Sequence, residues 1–269
     1  MIETQWIFAY LLTGAIIGFF AGLLGIGGGG IMVPILTTLF VMQGFPLEHV
    51  VHIALATSMA SIIITSISSL KAHHAHGAVI FPVVWRITPG IIIGTFGATF
   101  IASYISSRHL AIFFACFMAY ISIQMFLNIK PKPSRELPNN LWLSITGIGI
   151  GAISALVAIG GGSLSVPFMV WCNIKIQKAI GTSAAIGLPL SVAGTIGYFI
   201  NGWNIENLPN YTMGYIYWPA VILISIVSYM TAPLGAKLAH KLPVPTLKKV
   251  FAILLIMLSV KMLHTLYAT

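Results

Sequence analysis

Two glycine clusters carry the most unusual chemistry in this chain: GIGGGGIMVP at 25 to 34 and AIGGGSLSVP at 158 to 167. Each glycine costs roughly 1 kcal/mol relative to alanine inside a helix, so a helix that meets such a run is expected to break there. A short apolar segment follows each cluster and holds Pro34 or Pro167 in its first turns, where a missing amide hydrogen is tolerated. The free amides and positive dipole end of a helix starting after the break would seat an anion without any charged side chain. Gly27, Gly28, Gly29 and Gly30, with Gly160, Gly161, Gly162 and Ser163, are therefore candidate substrate-binding residues. Thr57-Ser58 and Thr182-Ser183 fall on the helices that follow. Their hydroxyls could donate to the same anion or bond back to carbonyls of their own helix.

Other chemistries fit less well. Gly25, Gly27 and Gly30 satisfy GxGxxG, with Glu48 near the place of a ribose-binding acid. The preceding run has helical length, however, the second copy reads Ala158, Gly160, Ser163, and no lysine follows, so dinucleotide and phosphate-loop readings are rejected. Ser163 with His240 or His264 as base would make an intramembrane hydrolase. Ser163 corresponds to Gly30 of the first cluster, and both bases lie near helix ends, so no enzyme is expected. His73, His74 and His76 in KAHHAHG are placed at a cytoplasmic loop with no cysteine or acid to complete a metal shell, and Cys116 and Cys172 stand alone. No metal and no cofactor is implied.

The chain has no Asp, and none of its four Glu lies in an apolar run. Sites for Na⁺ and proton relays usually need buried carboxylates, so an anion is the expected cargo. Proton coupling would fall to His52, one turn before Thr57, or to Lys261; the plainer readings are an interfacial histidine and a snorkelling lysine.

The elements that must position these residues follow from composition. Of 269 residues, 58% are hydrophobic and 6% charged, and the mean hydropathy is +0.99. A soluble domain carries about 25% charge, so a soluble enzyme is excluded and one integral membrane unit is expected. The net charge of +9 is explained by cytoplasmic loops that retain Lys and Arg, with no nucleic-acid partner. The N-terminus has Glu3 and no basic residue before its apolar run, unlike a cleavable signal peptide.

Apolar runs fall at 6 to 24, 31 to 42, 49 to 70, 87 to 105, 110 to 128, 141 to 159, 163 to 172, 179 to 200, 214 to 236 and 246 to 266. The runs at 31 to 42 and 163 to 172 are too short to cross a bilayer alone. Shifting the chain by 133 residues aligns 13 to 34 with 146 to 167, with 11 of 22 positions identical, so the chain is an internal repeat. Residues 1–129 and 141–269 form the two halves, joined by a polar cytoplasmic linker at 130–140. Gly14, Gly18 and Gly22, matched by Gly147, Gly151 and Ala155, read as ladders for close helix packing. All six tryptophans lie near segment ends, in the manner of interfacial anchors.

Charge decides between two topologies. Eight single crossings would split the basic loop residues about seven against five. If each glycine-broken pair instead dips in and returns, one face receives Lys71, Arg86, Lys130, Lys132, Arg135, Lys175, Lys178, Lys237, Lys241, Lys248 and Lys249, and the other only Arg108. The positive-inside rule favours that second arrangement. It gives an all-α integral membrane fold of two inverted repeats, each a re-entrant pair plus three transmembrane helices, with both termini outside.

The doubled cluster, with its trailing ALATSMAS and AIGTSAAI, resembles the signature of the sulfite exporter TauE/SafE family, also called the toluene sulfonate uptake permeases. The resemblance covers essentially the whole chain. It implies an inner-membrane transporter of small sulfur-containing or organic anions such as sulfite, sulfonates, sulfoacetate or thiosulfate. The family's glycine motif falls on Gly27, Gly28, Gly29, Pro34, Gly160, Gly161, Gly162 and Pro167, and its Thr-Ser pairs on Thr57, Ser58, Thr182 and Ser183. The expanded HHAH at 73 to 76 departs from the single histidine usual there. The expected partners are a small anion and the lipid bilayer, with a homo-oligomer open; a passive anion channel and a non-transporting scaffold subunit are the alternatives.

Overall fold

The computed structural model describes residues 3–24, 28–127, 136–239 and 244–268. Gly27, residues 130–135 of the linker and His240 lie outside the described residues. The first half contains α1 (Thr4–Leu24), α2 (Gly29–Met42), α3 (Val50–Ala75), α4 (Phe81–Tyr104) and α5 (Ser107–Phe126). The second contains α6 (Asn140–Val157), α7 (Gly162–Trp171), α8 (Ile176–Gly202), a ribbon of β1 (Thr212–Met213) and β2 (Ile216–Tyr217), α9 (Trp218–Ala239) and α10 (Val244–Ala268). Among the described residues, seven helices, α1, α3, α4, α5, α6, α8 and α9, have the length and apolar composition to cross a membrane. The chain is an all-helical, multi-pass membrane protein.

Small residues dictate which helices meet. Gly14, Gly18 and Gly22 bring α1 onto the backbone of α9 at Ile224, Ser228 and Ala232, and Gly147 and Gly151 bring α6 onto α4 at Ile87 and Ile91. Both pairs run parallel. In each, a helix of one half is laid against a helix of the other, which locks the halves together through backbone contact. The mates α3 and α8 meet antiparallel, with Met59 at Gly194 and Ser66 at Gly187. The mates α5 and α10 do the same, Arg108 stacking on Tyr267 at one end and Lys249 on Phe126 at the other.

Leucine at Gly22 or Gly94 would drive a Cβ into the carbonyl of Ala232 or Ile148, whereas a Cβ at Gly97 or Gly149 meets nothing within 4 Å. Overpacking costs about 1–3 kcal/mol or more. Thermal unfolding in detergent should therefore show Gly22→Leu and Gly94→Leu clearly destabilised, and Gly97→Leu and Gly149→Leu close to the parent.

Two expectations change. His73 and His74 sit in the last turn of α3, which runs to Ala75 and does not stop at 70 in a loop. The apolar run expected from 214 begins instead with the ribbon, because Gly214 at φ +57 turns the chain back between Thr212-Met213 and Ile216-Tyr217. The helix α1 runs far alongside α9: Gly22 reaches Ala232 and Ala236 near the end of α9, and its carbonyl accepts from His73 Nε2 at 3.0 Å. The end of α2 comes back beside the start of α1, where Gln43 donates to the Tyr10 hydroxyl and shares a pocket with Glu3 and Trp6.

Candidate functional site

Each short helix is opened by a glycine in the left-handed region, Gly28 at φ +79 before α2 and Gly161 at φ +81 before α7. Only glycine takes this conformation without strain, which is why the clusters are needed. The two starts match bond for bond. Ile31 and Met32 donate to the Gly28 carbonyl, and Leu164 and Ser165 donate to the Gly161 carbonyl. In both helices the amides just ahead, those of Gly29 and Gly30 and of Gly162 and Ser163, have no carbonyl one turn back within the helix.

The clusters also touch. Gly29 lies directly on the carbonyl of Ala158, the αL residue that caps α6, and a Cβ at Gly29 would overlap it. Gly28, Gly29, Gly30, Gly160, Gly161 and Gly162 are all buried, and Ser163 is half-buried. Pro34 and Pro167 are each the sixth residue of their helix, within its first two turns. Their missing amides therefore release the carbonyls of Gly30 and Ser163 from helical bonding.

The threonines of the two Thr-Ser pairs do something neither sequence reading anticipated. Thr57 Oγ1 accepts from the backbone N–H of Tyr217, immediately before α9, at 3.1 Å. Thr182 Oγ1 accepts from the N–H of Ile80, immediately before α4, at 3.0 Å. Each half thus latches the start of a long helix in the other. Ser58 Oγ is fully buried without a hydrogen-bond partner, a state that costs about 1–3 kcal/mol unless a ligand or water completes it.

His52 is buried between elements. Its Nε2 lies 3.0 Å from the Ala102 carbonyl, its Nδ1 lies 3.2 Å from Ser107 Oγ, and Tyr215 stacks on the ring at 5.2 Å. Burial, with Glu48 adding to it, pushes the Tyr215 phenol up, so that ring is a neutral neighbour. Lys261 is exposed on α10. The histidine triplet is dispersed: His73 points inward to Gly22, His74 packs edge-on against Phe81, and His76 reaches back to the Ala72 carbonyl.

The sequence profile of the family Sulfite exporter TauE/SafE matches residues 10–262. The chain belongs to the TauE/SafE family. A Haemophilus influenzae relative named as a probable membrane transporter protein is 39% identical, with 94% of this chain and 96% of that protein aligned. A Methanocaldococcus jannaschii relative with the same description is 30% identical, with 86% of each aligned, and Bacillus subtilis YdhB is 25% identical over 88% of this chain and 92% of its own. No solved structure matches the chain.

For this TauE/SafE transporter, the glycine breaks were visible in the sequence because such runs are costly inside a helix. The Ala158 carbonyl, the Tyr217 and Ile80 amides, and Ser107 were missed. A backbone group carries no mark in sequence, and Ser107 lies 55 residues from His52.

Proposed function

We propose that this TauE/SafE protein carries a small sulfur-containing or organic oxyanion across the inner membrane by alternating access, with the glycine breaks as its binding site. The matched left-handed glycines, Gly28 and Gly161, carry the reading: they open two short buried helices whose amino ends provide amides and dipole for an anion where no acid intrudes. The antiparallel contact of α3 with α8 and of α5 with α10 supports inverted halves. The Thr57 and Thr182 latches supply two weak seams, one in each half's long-helix start, that can open in turn.

Proton coupling is assigned to His52. A carbonyl only accepts, so Nε2 donates to Ala102, while Ser107 gives its own hydrogen to the Glu48 carbonyl at 2.6 Å. Ser107 can then bond Nδ1 only as an acceptor, so the set is complete when both ring nitrogens carry hydrogen. Facing groups are His49, whose ring is 6.2 Å away, Tyr215 and the Glu48 backbone.

Purified protein in liposomes should accumulate labelled sulfite or thiosulfate faster under an imposed pH gradient than without one. His52→Asn should remove the gradient's effect while leaving exchange between equal pH intact. Flux that is indifferent to the gradient and continuous rather than exchanging would favour the channel instead.

A further inference from the structure

The two seams between long helices of opposite halves are not alike. Between α3 and α9, Thr65 Oγ1 meets Ser228 Oγ at 2.9 Å and Ser68 donates to the Tyr229 carbonyl at 2.7 Å. The latches set Thr57 against Thr182 and Tyr217 against Ile80 as equivalents, and the same spacing puts Leu190, Ala193, Ile91 and Ile92 at the places of Thr65, Ser68, Ser228 and Tyr229. The hydroxyls of Thr65, Ser68 and Ser228 are thus replaced by the apolar side chains of Leu190, Ala193 and Ile91. There, between α4 and α8, a groove of about 570 Å³ opens, walled by Trp85, Ile92 and Phe96 on one side and Leu188, Val192 and Ile196 on the other. Thr88 lines it too, but its hydroxyl is spent on the Val84 carbonyl at 2.7 Å.

The dimensions and ends of the groove define an occupant. The lining extends from Phe81 to Phe96 on α4, roughly 22 Å at 1.5 Å per residue, and from Ala185 to Ile196 on α8, roughly 16 Å. One leaflet of a bilayer's hydrocarbon core is about 15 Å deep. One end is marked as an interface: Trp85 is 71% exposed, and His74 packs on Phe81, which lines the mouth. Two exposed cations lie near the starts of the two helices, which run side by side in the same direction. Arg86 follows Trp85, and Lys178 precedes Ala185 by two turns on the same face of α8; both are exposed. We propose that the α4/α8 groove binds one acyl chain of an anionic phospholipid, with the phosphate-bearing headgroup held by Arg86 and Lys178. Such a lipid lies against α8, the helix that carries Thr182 and packs Gly187 toward the Gly160 carbonyl.

Native mass spectrometry of the full chain, titrated with equal phosphatidylglycerol and phosphatidylcholine, tests this. The parent should keep phosphatidylglycerol in preference by about tenfold or more. Val192→Trp, made at a half-exposed wall position, should lower retention of both lipids at least tenfold. Arg86→Gln with Lys178→Gln, both exposed, should keep a bound lipid but remove the preference. Equal retention of the two lipids by the parent, or unchanged retention in Val192→Trp, would overturn the proposal. So would a dimer mass in the parent that becomes monomeric in Val192→Trp, since the groove would then be covered by a second copy.

Discussion

Gly161→Leu is expected to abolish anion flux while the protein still inserts in the membrane, and Gly28→Leu to do the same. Both positions lie at φ near +80, where a side chain carries a conformational cost of about 1–2 kcal/mol before any contact is considered. Alanine separates that cost from crowding. At Gly161 an added Cβ meets Ile186 Cγ2 and Leu190 Cδ1 at 3.5 Å, which is ordinary contact, so Gly161→Ala should lose only the conformational part, up to roughly thirtyfold in flux. At Gly28 the Cβ would overlap Ile17 Cγ2, so Gly28→Ala should lose more than Gly161→Ala. Leucine at either place adds bulk beside the helix start and blocks the seat outright. Flux per inserted molecule in proteoliposomes, with size-exclusion profiles to show intact protein, reads the order. Normal transport by both leucine variants would remove the glycine breaks as the binding site.

How far the sequence carried this picture depends on what kind of atom did the work. The glycine runs were readable because glycine is the residue that enters the left-handed region freely, and Gly28 and Gly161 are both found there. The ladders at Gly14, Gly18, Gly147 and Gly151 were readable for a related reason: small residues at helical spacing announce close backbone approach, and each contacts a backbone of the other half. The Thr-Ser pairs were visible as recurring residues, yet their work was hidden, since the amides they hold lie 160 and 102 residues away. Burial hid the role of His73 as well. A histidine just before Gly77 reads as loop, but here it completes α3 and ties it to α1. The ribbon at 212 to 217 was lost in an apolar run because two-residue strands have no periodicity to detect.

Thr57→Val and Thr182→Val should act on opposite sides of the molecule. Each removes a hydroxyl that accepts a backbone N–H of the other half and leaves that amide unpaired, a loss of about 1–3 kcal/mol. If the latches close the two access routes, the loss falls on one closed state only, and the population should move by roughly tenfold toward opening on that side. Cys172 is a reporter for one of them. It is buried at the end of α7, four residues before the first residue of α8, whose Thr182 holds the start of α4. With exposed Cys116 replaced by serine, Thr182→Val should raise the maleimide labelling rate of Cys172 by about tenfold, whereas Thr57→Val should leave it unchanged or lower it. Thr182→Ser keeps the hydroxyl and should restore the parent rate, which separates the hydrogen bond from side-chain packing. Transport should fall in both valine variants, because a carrier that cannot close one side cannot complete its cycle. Equal labelling of Cys172 in Thr57→Val and Thr182→Val would show that the threonines hold the halves together without gating them.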